Sequence, residues 1–295
     1  MGDVEDAQSG RVLSIGLSDC LGRAGLQGDV RAVTATGGRA STVVTVVTAD
    51  DTNMAFDWVE MSPTIIVRQF ERILAVEGVD CIKIGQLHSE EQIELIANLI
   101  ARRAPSTPIV ISPVVAAVDG APRLSVRAAA ALKRSLMVMS ELLCVSVREA
   151  EVLTGMTVRD EDAMMEAAAM MLTLGLNGVF LHGGSFGRDH ATDILATEDD
   201  IIRYDDGPPG GHLVYGAKTA LAAAAAGGVA KGMTLQDAVA GARAYLKQAL
   251  PTLRTFGGAH RAPWRAVDRR DDRRNDDRRR RRAARDQIGD QFDLL

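Results

Sequence analysis

Residues 12–29 read VLSIGLSDCLGRAGLQGD: an apolar run at 12–15 gives way to a stretch carrying Gly16, Gly22, Gly25 and Gly28, with the acids Asp19 and Asp29, and a helix-period segment, 24–35, begins inside it. A short strand that passes through a glycine-rich turn into a helix is the opening of a βαβ unit. The same alternation recurs outward along the chain. Strands are expected at 42–48, 81–84, 108–111, 142–145 and 178–181, and helices at 64–76, 90–103, 126–137, 148–153, 162–174, 218–230 and 235–249. Such alternation predicts an α/β fold built on a mainly parallel sheet. Helix starts are marked by Ser62 before Pro63 and by Thr234 ahead of Asp237, where a side-chain oxygen can accept from free backbone N–H groups; Gly78 and Gly175 mark stops.

Composition agrees with that class. The 295 residues are 46% apolar and 25% charged, enough for one large domain with a full core, and only 4% aromatic, which suits close-packed helices on a parallel sheet. No apolar run is long enough to span a bilayer and the amino terminus, MGDVEDAQSG, is acidic and polar, so a cytoplasmic protein without membrane contact is expected. Cys20, Cys81 and Cys144 match no metal spacing and read as thiols of a reducing compartment. The net charge of −5 conceals a division: residues 261–295 hold 12 Arg and 8 Asp, a local +4 that leaves −9 on the remainder. An acidic body is a poor general nucleic-acid binder, so any DNA contact belongs to the tail. Residues 1–10 read as a disordered start, 11–256 as the folded domain, 257–290 as a charged linker and 291–295 as a terminal peptide. The stretch 269–285, RRDDRRNDDRRRRRAAR, has no apolar period and cannot build a core.

Several segments then carry a resemblance. GLSDCLGRAGLQGD at 16–29 is similar to the opening loop and helix of the bacterial hydroxymethylpyrimidine (phosphate) kinases, whose pattern is close to AGSDSSGGAGIQAD. In the family's order follow VVTVVTADDT ending at Thr52, VDCIKIGQL at Leu87, PIVISPV at Val114, REAEVLTG at Gly155, LHGGSFG at Gly187 and VAKGMTLQDAV at Val239. The resemblance covers nearly all of the body. It implies a ribokinase-like, three-layer α/β/α fold, often dimeric, and an ATP- and magnesium-dependent phosphotransferase acting on a small pyrimidine alcohol of thiamine biosynthesis.

The resemblance also points to site residues and to departures among them. The family's anion-hole turn, Gly-Thr-Gly followed by Cys or Asp, corresponds to Gly216, Ala217, Lys218 and Thr219. A side chain at Lys218 obstructs close backbone approach to phosphate, unless its ammonium neutralises the phosphate instead, and Thr219 is a weak base. The missing glycine directly before Lys218 excludes a Walker loop. The acid of the family's DPV segment is Ser112 and the asparagine of NLPEAE is Ser146, while Glu149, placed near a magnesium-water network, is kept. The lysine of KGGH is His182, followed by Gly183 and Gly184, which read equally as nucleotide contacts or as a strand-to-loop turn. In the pyrimidine pocket Asp29 is kept, and Leu17, Asp50 and Gln86 take the places of glycine, glutamine and methionine. Asp19 reads as capping or solvating the first helix. His88, His182, His190, His212 and His260 show no metal-ligand spacing.

The last residues, Gln291, Phe292, Asp293, Leu294 and Leu295, look like the pentapeptide by which bacterial polymerases and their regulators bind the DNA sliding clamp; a terminal apolar pair packed on the body is the plainer alternative. Taken together, these readings lead with a kinase-like protein whose phosphoryl-transfer site is impaired, turned to ligand sensing or clamp association. An active kinase of the family reaction and a non-catalytic replication or repair partner are the alternatives.

Overall fold

Consecutive residues of a strand point to opposite faces, so an unbroken apolar strand needs cover on both. The computed structural model describes residues 9–49, 58–116, 123–184, 191–207 and 214–256. Among them, one nine-stranded sheet runs in the order β3-β2-β1-β4-β5-β6-β7-β8-β9, formed by β1 (Arg11–Asp19), β2 (Arg39–Thr48), β3 (Trp58–Glu60), β4 (Cys81–Ile84), β5 (Ile109–Ile111), β6 (Leu142–Ser146), β7 (Gly178–Gly184), β8 (Ala191–Thr197) and β9 (Ile201–Gly207). The six strands from β2 to β7 are parallel, with antiparallel β3 at one edge and β8–β9 at the other.

Alternate residues divide between two cores. Leu13, Ile15, Ile82, Ile84, Ile111 and Val145 face α2 (Pro63–Val76), α3 (Glu90–Arg103), α4 (Val126–Ala131), α5 (Val147–Thr154) and α6 (Glu161–Leu172). Val12, Cys81, Val110, Cys144 and Phe180 face α1 (Gly25–Ala35), α7 (Ala217–Ala230) and α8 (Leu235–Phe256). The result is the expected three-layer α/β/α arrangement. Helix α7, AKTALAAAAAGGVA, is buried from Ala220 to Gly228, and a Cβ at Gly228 would lie 2.9 Å from the Ala238 Cα, so α7 and α8 meet almost backbone to backbone. No helix among the described residues is long and apolar enough to cross a membrane.

Local signals behave as their chemistry predicts at several boundaries. Ser62 accepts from the Ile65 N–H ahead of Pro63, Thr234 accepts from the Asp237 N–H at 3.1 Å, and Gly78 and Gly175 take positive φ. Three expectations are corrected. Strand β1 runs four residues past Ile15, because a register shift at Gly16/Leu17 lets it keep pairing with β2. The helix expected over 126–137 is α-helical only to Ala131; a π turn at Leu132–Leu136 and a 3₁₀ turn at Met137–Met139 follow, with Leu132, Leu136 and Met137 all buried. The wider turn holds these side chains on one face. Strands β3, β8 and β9 have no counterpart in the sequence expectation: β3 is three residues long and exposed, and the polar residues of β9 alternate with partly buried ones at the sheet edge.

Candidate active site

Parallel strands deliver their carboxyl ends to one edge of a sheet, where an open α/β fold leaves a crevice. Asp19 ends β1, Gly85 and Gln86 follow β4, Ser112 follows β5, Ser146 ends β6, and His182 is the β7 residue paired with Ser146. The turn 214–219 brings the amino terminus of α7 to the same edge.

Asp19 organises the loop after β1. Its buried carboxylate accepts from the N–H groups of Leu21 at 2.9 Å, Arg23 at 2.9 Å and Ala24 at 2.7 Å. It does not cap α1, whose first position, Ala24, has no side-chain cap; the expectation of a helix cap is corrected to that of a loop clasp. The loop so held packs on Gly216, which has φ +85°, and a Cβ there would lie 2.2 Å from the Arg23 carbonyl oxygen. Only glycine fits this left-handed, close-packed position. It sets the first-turn N–H groups of Lys218 and Thr219, which have no intrahelical acceptor, at the crevice edge, while the Ala217 N–H is bonded to the Val214 carbonyl. The Thr219 methyl lies on the α1 side, 3.7 Å from where a Cβ of Gly28 would stand.

Lys218 reaches across the site. Its ammonium donates to Glu149 Oε1 and to the Pro113 carbonyl, and the side chains of Lys218 and Glu149 are 15% and 3% exposed. The second oxygen of Glu149, Oε2, accepts from the Ser146 N–H at 2.9 Å and from its hydroxyl at 3.0 Å, while the Glu149 N–H donates back to the Ser146 hydroxyl at 3.4 Å; the two backbone N–H bonds are the halves of a capping box that starts α5. Beside Pro113, the buried Ser112 Oγ has no hydrogen-bond partner among the described residues. Both Glu149 oxygens are thus engaged, one of them by a cation. No group of three His, Cys, Asp or Glu side chains suited to a metal occurs among the described residues. This donor set does not fit a divalent ion held by the protein.

Asp29 lies under the site and is 1% exposed. Lys83 Nζ donates to both its oxygens at 2.8 Å, and the Ser14 hydroxyl donates to Oδ2. In this structure Asp29 joins α1, β1 and β4. Gln86 is half-buried beside Gly16, Leu17 is buried, and Asp50 lies outside the described residues, as do Gln291, Phe292, Leu294 and Leu295. On the same sheet face burial pushes the Cys144 thiol up to about 12, although Lys218 and Lys83 pull it down.

His182 heads a second polar chain. Its Nδ1 is 2.8 Å from Asp193 Oδ1, which also accepts the Gly183 N–H at 2.9 Å; Arg243 donates to Asp193 Oδ2 at 2.9 Å and to Asp206 at 2.7 Å. Gly183 has φ +89° beside a register shift between Leu181 and Gly184, so this pair shapes the β7–β8 pairing. His182 Nε2 is buried without a partner among the described residues, whereas His88 packs on Trp58; His190, His212 and His260 lie outside the described residues. Burial raises the Asp193 pKa, but His182 and then Arg243 outweigh it and hold the carboxyl below its ordinary 3.8. Its contribution to stability is therefore full above that value and is lost as pH falls through the lower, folded value. Urea unfolding below about pH 4 should show a steeper acid loss in the native chain than in Asp193→Asn; equal slopes would remove Asp193 as its source.

Lys83, Asp193 and Arg243 were not singled out in the sequence. The available signal was a lone charge in the buried strand Cys81–Ile84, which demands a partner.

Comparison with known proteins shows the family and the fold. Residues 19–263 match the family described as phosphomethylpyrimidine kinase. The chain is 32% identical over 240 residues to the hydroxymethylpyrimidine/phosphomethylpyrimidine kinase of Rhizobium meliloti, covering 81% of this chain and 89% of that one. It is 31% identical over 251 residues to the thiamine biosynthesis bifunctional protein ThiED of Geobacter sulfurreducens, covering 85% of this chain and about half, 51%, of that longer protein. The crystal structure of the phosphomethylpyrimidine kinase of Clostridium difficile superposes with a TM-score of 0.73 at 26% identity, over 81% of this chain and 99% of that one. With its ribokinase-like architecture and a match that runs through nearly the whole folded body, the chain belongs to the phosphomethylpyrimidine kinase family.

Proposed function

We propose that the protein transfers the terminal phosphoryl group of ATP to the hydroxymethyl oxygen of a small pyrimidine alcohol, or to a phosphate oxygen of its monophosphate. The observation that carries this reading is Gly216, whose left-handed backbone against the Arg23 carbonyl sets the α7 amino terminus over the ends of β5 and β6. Phosphoryl transfer depends chiefly on positioning and on stabilising charge around the moving group, and a helix amino terminus supplies such stabilisation. With the alcohol, its oxygen bonds to the γ-phosphorus, the bridging P–O bond to the β-phosphate breaks, ADP leaves, and the hydroxyl proton is released; with the monophosphate, a phosphate oxygen makes the same bond and a diphosphate results. Family membership supports catalysis ahead of the impaired-site expectation.

Thr219 carries neither a carboxylate nor a thiol to take that proton, and a missing general base costs about 10²–10⁴ in rate. We therefore expect slow, alcohol-dependent release of ADP from ATP with hydroxymethylpyrimidine, and a rise of about a hundredfold in kcat for Thr219→Asp. Absence of phosphorylated product from both proteins would sink the reading. A second reading, a ligand-binding protein without turnover, is favoured by the clasp of Lys218 on Glu149 and Pro113. It predicts ADP binding with no product in the same assay.

A further inference from the structure

We propose that Lys218 is a built-in cation that neutralises Glu149 at the phosphate end of the site, so that the protein binds nucleotide without a divalent metal; the proposal rests on the kinase reading above.

A carboxylate only 3% exposed beside an anion site repels an incoming polyphosphate strongly, because little water screens it. Something positive has to stand against it before the phosphates arrive. In this chain that charge is covalently supplied. Lys218 leaves the first turn of α7, where a phosphate would meet the free N–H groups, and ends on Glu149 Oε1 and the Pro113 carbonyl. The remaining Glu149 oxygen is committed to Ser146, so the carboxylate has no free oxygen with which to orient a hydrated metal.

A second observation marks the same place. The Ser112 hydroxyl, directly before Pro113, is 2% exposed and has no partner among the described residues, at the end of the strand whose following carbonyl Lys218 grips. A buried hydroxyl left unpaired is costly unless a ligand completes it. The ammonium, the hydroxyl and the first turn of α7 together form a polar cradle suited to the terminal phosphate of a nucleotide. Arg23 adds a further cation on the other side of Gly216, its guanidinium stacked 5.3 Å over the Tyr215 ring.

Titration of the full chain with ADP, in magnesium buffer and in EDTA, tests this. For the native protein the Kd should differ by less than about threefold between the two buffers. Lys218→Ala should bind ADP about tenfold more weakly in EDTA and recover with magnesium. Because removal of the lysine strands a buried carboxylate, the double variant Lys218→Ala/Glu149→Gln is measured beside it. Gln at 149 keeps the capping box, and loss of the negative charge should restore most of the EDTA affinity. Native binding that falls about tenfold in EDTA, or a double variant as weak as the single one, would overturn the proposal while leaving the kinase reading intact. ADP binding by none of the three proteins in either buffer would overturn both.

Discussion

Lys83→Met is expected to remove about 3–5 kcal/mol of folding stability, the largest effect of any single substitution considered. Lys83 is 1% exposed in a strand whose other residues, Cys81, Ile82 and Ile84, are all apolar, and it is bonded to both oxygens of an equally buried Asp29. Methionine fills much the same volume, so the loss comes from charge. The Asp29 carboxylate would be left in the core with only the Ser14 hydroxyl. Urea unfolding followed by circular dichroism gives the measurement. Replacing both partners, as in Lys83→Met/Asp29→Leu, should recover most of the loss, since an apolar pair of similar volume often substitutes for a buried ion pair at little cost. A native-like midpoint for Lys83→Met would mean that the pair holds nothing together.

The second large effect is expected at the turn. In Gly216→Ala the new Cβ meets the left-handed penalty, about 1–2 kcal/mol, and in addition stands 2.2 Å from the Arg23 carbonyl oxygen, a contact that the backbone cannot accept without moving. Either α7 or the loop 19–24 must retreat, and the phosphate cradle opens with it. ADP affinity should fall by at least about tenfold. Gly155→Ala is the matched control: φ is +76° there, but nothing lies within 4 Å of the added carbon, so only the conformational penalty of about 1–2 kcal/mol applies and ADP binding is retained. Equal behaviour of the two variants would show that close packing at Arg23 is irrelevant to the site.

These positions also show what the sequence makes legible. The central parallel strands are mostly apolar, and a run such as Ile109–Ile111 or LLCV at 142–145 announces burial on both faces without any knowledge of its neighbours. The antiparallel edge is different. Residues 201–207, IIRYDDG, are half polar because an edge strand needs cover on one side only, and nothing local separates such a stretch from a loop. In the site, the turn at Gly216 and the pair Ser146 and Glu149 lie within short segments and are found through the resemblance those segments carry. The partners of Lys83, Asp193 and Lys218 come from segments 54, 50 and 69 residues away, in Asp29, Arg243 and Glu149. Pairings over such distances follow from topology and not from pattern. For the same reason the ion pair that Asp29 makes with Lys83 is not legible in either segment alone.

The alanine-rich interior of α7 bears on how this site can diversify. From Ala220 to Gly228 every residue of the helix is buried, and at Gly228 even one added methyl group would collide with α8. Mutational drift is therefore closed to the body of the helix and open at Lys218 and Thr219 of its first turn, which are only partly buried. Novel chemistry has a narrow port of entry at Lys218 and Thr219, and both positions already depart from the familiar arrangement.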